Sequence, residues 1–166
     1  MDNYFCLNKG TSIKSNLDSK PILNGIKILR RDLDKKFTLK ETIDNQIRLV
    51  KDNVLSEEEY RMVVVSTDII EVRASDDLGF IYGLLFISSY FLDIKPFWFW
   101  MDQGGIKQTE KIEVPVKSYF SLKKAVKYRG WFINDEVLID YVTKQNDSDE
   151  FWEMTFEALL RCDRIL

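Results

Sequence analysis

Residues Ile70–Leu84 read IEVRASDDLGFIYGL, and this stretch decides the fold class. Its first five residues alternate apolar and charged side chains, which is typical of a strand with one buried face. Ser75, Asp76 and Asp77 follow as natural caps, and their negative charge suits the N-terminus of a helix. The residues from Leu78 onward are apolar nearly all round, which indicates a buried helix. The stretch therefore predicts a strand that leads directly into a buried helix.

Elements on either side of this stretch complete an α/β domain. Residues 60–65 alternate as residues 70–74 do, so the two segments predict a hairpin. Pro21–Phe37 has apolar residues at helical spacing, and Gln46–Val50 predicts a short strand. We expect an α/β (α+β) fold, in which this sheet carries the helices Pro21–Phe37 and Leu78–Leu92 on one face.

Two features of these helices bear on packing. Gly79 and Gly83 lie four residues apart and share one helix face. Each costs about 1 kcal/mol relative to alanine, so we expect close approach of that face to the sheet. The first helix carries basic residues opposite its apolar stripe, which we interpret as a solvated face. These are Arg30, Arg31, Lys35 and Lys36.

The C-terminal part of the sequence has a different character. Tyr128–Ile133 (YRGWFI) predicts a short apolar strand, and Glu150–Cys162 predicts a helix with one apolar side. Together they form a single βα unit, which cannot bury both faces of its strand alone. We therefore expect two domains. Residues 1–125 form the α/β domain, and residues 126–166 form the first part of a second, larger domain.

The composition excludes several classes of site. The 166 residues contain no histidine, which removes Ser-His-Asp triads and histidine zinc sites. Cys6 and Cys162 form no C-x-x-C pair, so we expect no metal, no cofactor and no disulfide framework. The 24 basic residues against 27 acidic ones give a net charge of −3 without a basic block. This argues against nucleic acid as a partner.

Targeting signals are not expected either. Met1–Cys6 has an acid where a signal peptide has bases, and no apolar run follows. The most apolar stretch, Phe80–Leu92, has about 13 residues, whereas a membrane helix needs about 20. We expect a cytoplasmic protein without a membrane partner.

The segment Ile70–Leu84 resembles a pattern in the N-terminal domains of several glycoside hydrolases. In that pattern a strand leads through an acidic turn into a helix carrying G-x-x-Y-G, which is Gly79–Gly83 here. The continuation resembles glycoside hydrolase family 115, and the likeness extends over about residues 60–161. The matching pieces are Ile94–Trp100, Val114–Pro115, Lys127–Glu136 and Phe151–Arg161.

The resemblance implies a fold and a function. It implies that residues 1–125 are the accessory domain, and that residues 126–166 are the first strand and helix of a truncated (β/α)8 barrel. A barrel needs about 250 residues, so the family's catalytic carboxylates would lie beyond Leu166. Family members remove glucuronic acid branches from xylan. We therefore expect a non-catalytic portion of such an enzyme, whose carbohydrate substrate binds through the missing barrel.

Candidate substrate contacts follow the predicted barrel strand. Asn134, Asp135 and Glu136 stand at its end, where barrel enzymes place their active sites. Neighbours on one loop rarely face each other across a substrate, so we favour a capping loop over catalysis. A role in substrate contact lies between these interpretations.

Three further side chains are candidates for contact with a sugar. Trp98 and Trp100 could stack on pyranose rings, although burial is the interpretation that we favour. Arg129 could bind the carboxylate of a uronic acid, and the commoner alternative is a structural ion pair.

A second class of function remains open. The chain could be a stand-alone carbohydrate-binding or protein-interaction module that has lost the catalytic barrel. Several large apolar side chains of the βα unit belong against missing barrel elements, so we also expect self-association through that surface. They are Trp131, Phe132, Trp152 and Phe156. A polar surface with affinity for sugar would favour the module.

Overall fold

The computed structural model describes residues 4–38, 44–100, 105–133, 144 and 148–162. The chain divides into two compact units. The first unit comprises Met1–Ile94 with Gly104–Lys123, and the second comprises Lys95–Gln103 with Lys124–Leu166. The functional domains assigned to residues 1–125 and 126–166 stay a prediction.

The described part of the first unit contains seven strands, two α-helices and a π-helical turn. The strands are β1 (Tyr4–Leu7), β2 (Ser12–Lys14), β3 (Gln46–Lys51), β4 (Tyr60–Val64), β5 (Ile69–Ala74), β6 (Ile112–Pro115) and β7 (Ser118–Phe120). The helices are α1 (Lys20–Lys36) and α2 (Asp77–Phe86), and α2 continues into the π-helical turn at Ile87–Phe91. The mixed α and β character expected from the sequence is confirmed.

Five strands form one mixed sheet in the order β2-β3-β5-β4-β7. The pairs β2–β3 and β3–β5 are parallel, whereas β4 pairs antiparallel with β5 and β7. β1 and β6 form a separate antiparallel pair. Along β5, Ile70, Val72 and Ala74 are buried and the residues between them are partly exposed. The predicted hairpin with one buried face is therefore confirmed.

Side-chain caps fix where both helices begin. The Ser19 hydroxyl accepts a hydrogen bond from the backbone N–H of Ile22 at 3.4 Å. One carboxylate oxygen of Asp76 accepts from the N–H of Gly79 at 2.7 Å, and the other accepts from the N–H of Glu58 at 2.8 Å. Glu58 has a φ of 63°, in the left-handed region. Asp76 therefore stabilises this turn as well as the first turn of α2.

The glycines of α2 lie where the helix meets the sheet. A Cβ atom on Gly79 would lie 2.5 Å from the carbonyl oxygen of Glu59, and one on Gly83 would overlap Cγ1 of Val72. Since real Cβ atoms do not approach other atoms so closely, only glycine allows this helix position. The predicted close approach of the glycine face is confirmed.

The α-helical part of α2 is shorter than predicted, because it changes to a π-helical turn after Phe86. Asp32 of α1 is fully buried beside this turn. One of its oxygens accepts a hydrogen bond from the Ser88 hydroxyl at 2.5 Å, and the other lies 2.8 Å from Nη2 of Arg31. The buried carboxylate thus fixes the π-helical turn against α1.

The second unit contains α3 (Ser148–Cys162), which confirms the helix predicted at Glu150–Cys162. Tyr128–Ile133 forms no strand in the described part of the chain. A strand needs a neighbouring strand to hydrogen-bond with, and none of the described strands pairs with this segment. The predicted start of a barrel is therefore not confirmed. Phe97–Trp100 forms successive turns.

Candidate functional site

A buried polar cluster in the second unit holds one of the predicted sugar-binding residues. Trp98 Nε1 donates a hydrogen bond to Glu157 Oε1 at 3.0 Å, and Arg161 Nε donates to the same oxygen at 2.9 Å. The side chain of Arg161 is fully buried, and that of Glu157 is 4% exposed. These three residues are the Glu157 cluster.

The helix geometry of α3 explains how this cluster forms. Glu157 and Arg161 are four residues apart, so they lie on the same helix face. Asp149 and Glu150 in the first turn, with Arg161 in the last, also suit the helix dipole. A catalytic acid or base has to reach the substrate, whereas the Glu157 carboxylate is enclosed and already accepts two hydrogen bonds. The cluster therefore anchors the segment around Trp98.

Aromatic rings around the cluster are partly open to solvent. Trp100 is 42% exposed, and its ring meets those of Phe99 and Phe151 at 5.5 and 6.4 Å in edge-to-face geometry. The rings of Phe97 and Trp131 stack at 5.8 Å, and both side chains are about two-fifths exposed. An exposed ring face can bind the C–H face of a sugar.

Of the four remaining candidates, the structure describes only Arg129. Arg129 donates from Nη1 to the carbonyl oxygen of Val126 at 2.5 Å, so its guanidinium binds its own loop. Asn134, Asp135 and Glu136 lie outside the described residues. Substrate contact by these four residues stays a prediction.

The two tryptophans have separate environments. Trp98 is partly exposed and donates to the buried Glu157 carboxylate, whereas Trp100 keeps an exposed ring, and sugar contact by either residue stays a prediction. Glu157 and Arg161 were not candidates from the sequence, although their four-residue spacing was an available signal. The pairing of Trp98 with Glu157 spans 59 residues, so no local pattern could indicate it.

Two other kinds of feature are absent from the ranges that the structure describes. Those ranges contain no group of three or more cysteine, aspartate or glutamate side chains arranged to hold a metal ion. None of the described helices combines the length and apolar character needed to cross a membrane.

Comparison with known families shows which family the C-terminal part of the chain is similar to. Residues 122–164 match the sequence profile of glycosyl hydrolase family 115. The resemblance to this family is confirmed. The matched range includes Arg129, the Asn134–Glu136 segment and the whole of α3, so the predicted site residues other than the two tryptophans fall inside it.

Solved structures show that the fold is shared with a family 115 enzyme. A 4-O-methyl-α-glucuronidase of family GH115 with specificity for decorated arabinogalactans has a TM-score of 0.78 and 23% identity. The likeness covers 96% of this chain and 25% of that one, so the chain spans about a quarter of its length. A GH20 exo-β-N-acetylglucosaminidase from Vibrio harveyi has a TM-score of 0.47 and 17% identity, over 72% of this chain and 17% of that one. That likeness is too low to support an argument. No curated protein matches the chain.

Proposed function

We propose that the chain is a non-catalytic portion of a glycoside hydrolase that acts on glucuronic-acid-substituted xylan or a related polysaccharide. The observation that carries the proposal is the family 115 match at residues 122–164. The likeness of the whole chain to a family 115 enzyme supports the same assignment of fold. In this role, residues 1–125 form an accessory domain that supports the catalytic barrel.

The environment of the carboxylates supports a scaffolding role. Glycoside hydrolysis needs two carboxyl groups about 5 to 9.5 Å apart on opposite sides of the scissile bond. Glu157 is buried and accepts hydrogen bonds from Trp98 and Arg161, so it is not placed to protonate a glycosidic oxygen. Asp135 and Glu136 are adjacent in sequence, which does not suit groups on opposite sides of a substrate. The opposing carboxylate would come from elsewhere in a longer enzyme.

The purified chain is expected to release no sugar from glucuronoxylan fragments or aryl glycosides. The physical reason is that no opposed pair of carboxylates is supplied by the residues discussed above. Chromatography of the incubated oligosaccharides measures this directly. Asp135→Asn and Glu136→Gln variants serve as controls and should give the same baseline. Turnover by the chain that vanishes in either variant would show that this loop is catalytic.

A second candidate function is that of a carbohydrate-binding module that needs no barrel. The exposed ring of Trp100 favours this candidate, since a ring that is open to solvent can stack on a pyranose. Other exposed apolar side chains lie in the same unit, among them Phe132 at 87% exposure. These side chains are also the basis for the proposed self-association.

Under this second candidate, Trp100→Ala is expected to weaken binding of a glucuronic-acid-bearing xylo-oligosaccharide about tenfold, because the stacking contact is lost. Titration calorimetry measures the affinity. Tyr90→Ala is the matched control, since Tyr90 is an aromatic residue of the first unit with 59% exposure. No detectable binding by the unmodified chain, or equal losses in both variants, would count against the module.

A further inference from the structure

The five-stranded sheet has a second face, on the side away from α2. The glycine side of α2 packs on Val72, which is buried with the other side chains that point to the helix. The side chains that alternate with these buried ones along β2, β3, β5, β4 and β7 point the other way. We call them the outer face. All of them are partly or fully exposed, and Phe120 of β7 reaches 63% exposure.

The outer face carries more positive than negative charge. Its cations are Lys14, Arg48, Arg61 and Arg73, and Glu71 is its one acid within the described strands. Nη2 of Arg73 lies 2.5 Å from Oε2 of Glu71, so these two charges neutralise each other. Lys14 and Arg48 are exposed. Neither they nor Arg61 form an ion pair within the part of the chain that the structure describes. Three positive charges of the outer face therefore remain open to an anion.

Arg61 has surroundings that favour a bound anion. It lies directly opposite Arg73 on the neighbouring strand, where like charges destabilise strand pairing. Its guanidinium carbon lies 5.0 Å from the ring centroid of Phe120, and its Nε is buried without a hydrogen-bond partner. A carboxylate bound to the planar guanidinium would offset the repulsion between the two arginines.

Phe120 adds an exposed aromatic ring to this charged surface. It is the direct partner of Arg61 on β7, the last strand in the sheet order. A uronic acid requires such a pair, because the C–H face of its pyranose can stack on a ring while its carboxylate binds an arginine. Apolar side chains also lie among the cations, with Val63 opposite Glu71 and Val50 opposite Arg73.

We propose that the outer face binds an acidic polysaccharide, with one uronic acid at Arg61 and Phe120 and further carboxylates at Arg48 and Lys14. Arg48 and Arg61 lie on strands that β5 separates, so their backbones are about 9.5 Å apart across the sheet. One carboxylate cannot reach both, and a polymer with several can. The choice of saccharide rests on the proposed function, whereas the site itself does not.

Two other classes of polyanion fit the outer face less well. The backbone groups of a strand pair within the sheet, so an extended acidic peptide finds no backbone partners on the face. Duplex DNA carries one charge per about 1.7 Å of its axis, and a chain with a net charge of −3 repels so dense a polyanion. A uronic acid polymer has at most one carboxylate per sugar, which suits three separated cations.

The first test is titration calorimetry of the full chain with glucuronoxylan fragments. Lys14→Glu/Arg48→Glu should weaken binding about tenfold or more, because each substitution replaces attraction by repulsion. Both residues are exposed, so the fold should persist. The matched control is Lys20→Glu/Lys27→Glu on α1, which also reverses two exposed charges but lies outside the outer face. Its affinity should stay within about twofold of the unmodified chain.

The second test separates sugar binding from simple charge attraction. Phe120→Ala keeps every charge and should weaken binding about tenfold, because the stacking contact is lost. Arg61→Gln should give a similar loss, since glutamine cannot pair with a carboxylate as an ion. Tyr90→Ala, which removes an exposed aromatic ring from the π-helical turn, is the control and should bind as the unmodified chain does.

The outcomes distinguish this inference from the proposed function. Equal losses in the two double variants, full binding by Phe120→Ala, or equal binding of unsubstituted xylan fragments would overturn the inference. Tighter binding of polyglutamate or duplex DNA, with loss in Lys14→Glu/Arg48→Glu, would also overturn it. Binding of polygalacturonate with the expected losses, but not of glucuronoxylan fragments, would support the outer-face site and contradict the substrate in the proposed function. No binding of either polysaccharide would overturn the inference and leave the proposed function standing.

Discussion

Glu157→Gln is expected to lower the free energy of unfolding of the second unit by about 3–5 kcal/mol. The substitution removes the negative charge that faces Arg161, whose side chain is fully buried. Glutamine keeps the size of the side chain and can still accept a hydrogen bond from Trp98. The decrease in the free energy of unfolding therefore measures the effect of the lost charge. All four tryptophans lie in the second unit, so tryptophan emission during urea unfolding measures that unit.

The control for this prediction is Glu153→Gln, one turn earlier on α3. Glu153 is exposed, so the same chemical change should alter stability by no more than about 0.5 kcal/mol. Glu157→Gln/Arg161→Met removes both buried charges and should restore part of the lost stability. Equal stabilities of Glu157→Gln and Glu153→Gln would mean that the buried pair contributes little, contrary to the expectation.

Local sequence patterns were sufficient to predict much of the secondary structure of the first unit. The alternation in β4 and β5 reflects a sheet with one buried face, and it depends only on neighbouring residues. The caps at Ser19 and Asp76 act within three residues of the helix start, so they too could be recognised in the sequence. The position of α2 on the sheet was indicated by Gly79 and Gly83, because two glycines on one helix face need a packing reason.

Elements that depend on distant partners could not be predicted in the same way. β2 and β7 are only three residues long, which is too short for the alternation typical of a strand to show in the sequence. β2 is a strand because it pairs with β3, about thirty residues away in sequence. The reverse holds for Tyr128–Ile133, which has a strand-like composition but pairs with no strand in the part of the chain that the structure describes.

The surroundings of the charged residues on α1 also depend on distant partners, so the sequence could not predict them. Its basic run was interpreted as a solvated face, which is the commoner situation. In the structure Lys36 is only 9% exposed, and Arg30 is half-buried where its guanidinium reaches the segment before β2. Helical spacing alone cannot show which charged face a neighbouring strand will meet.

Gly83→Ala is expected to destabilise the first unit by about 1–3 kcal/mol, although alanine is the better helix former by about 1 kcal/mol. The new methyl group would overlap Cγ1 of Val72 and lie 3.4 Å from Cβ of Tyr60. Val72 is fully buried in β5, which has a strand on each side, so it cannot easily move away. Urea unfolding followed by far-ultraviolet circular dichroism measures the loss.

Gly25→Ala in α1 is the matched control for this substitution. Its new methyl group would lie 3.3 Å from Cγ1 of Ile81 and Cδ1 of Leu84, which are side-chain atoms that can shift by a few tenths of an ångström. The helix-propensity gain should then offset the crowding, and we expect a change within about 0.5 kcal/mol. If Gly83→Ala proved as stable as Gly25→Ala, α2 would have to lie farther from β5 than this packing allows. The glycine pair would then need a different explanation from close contact with the sheet.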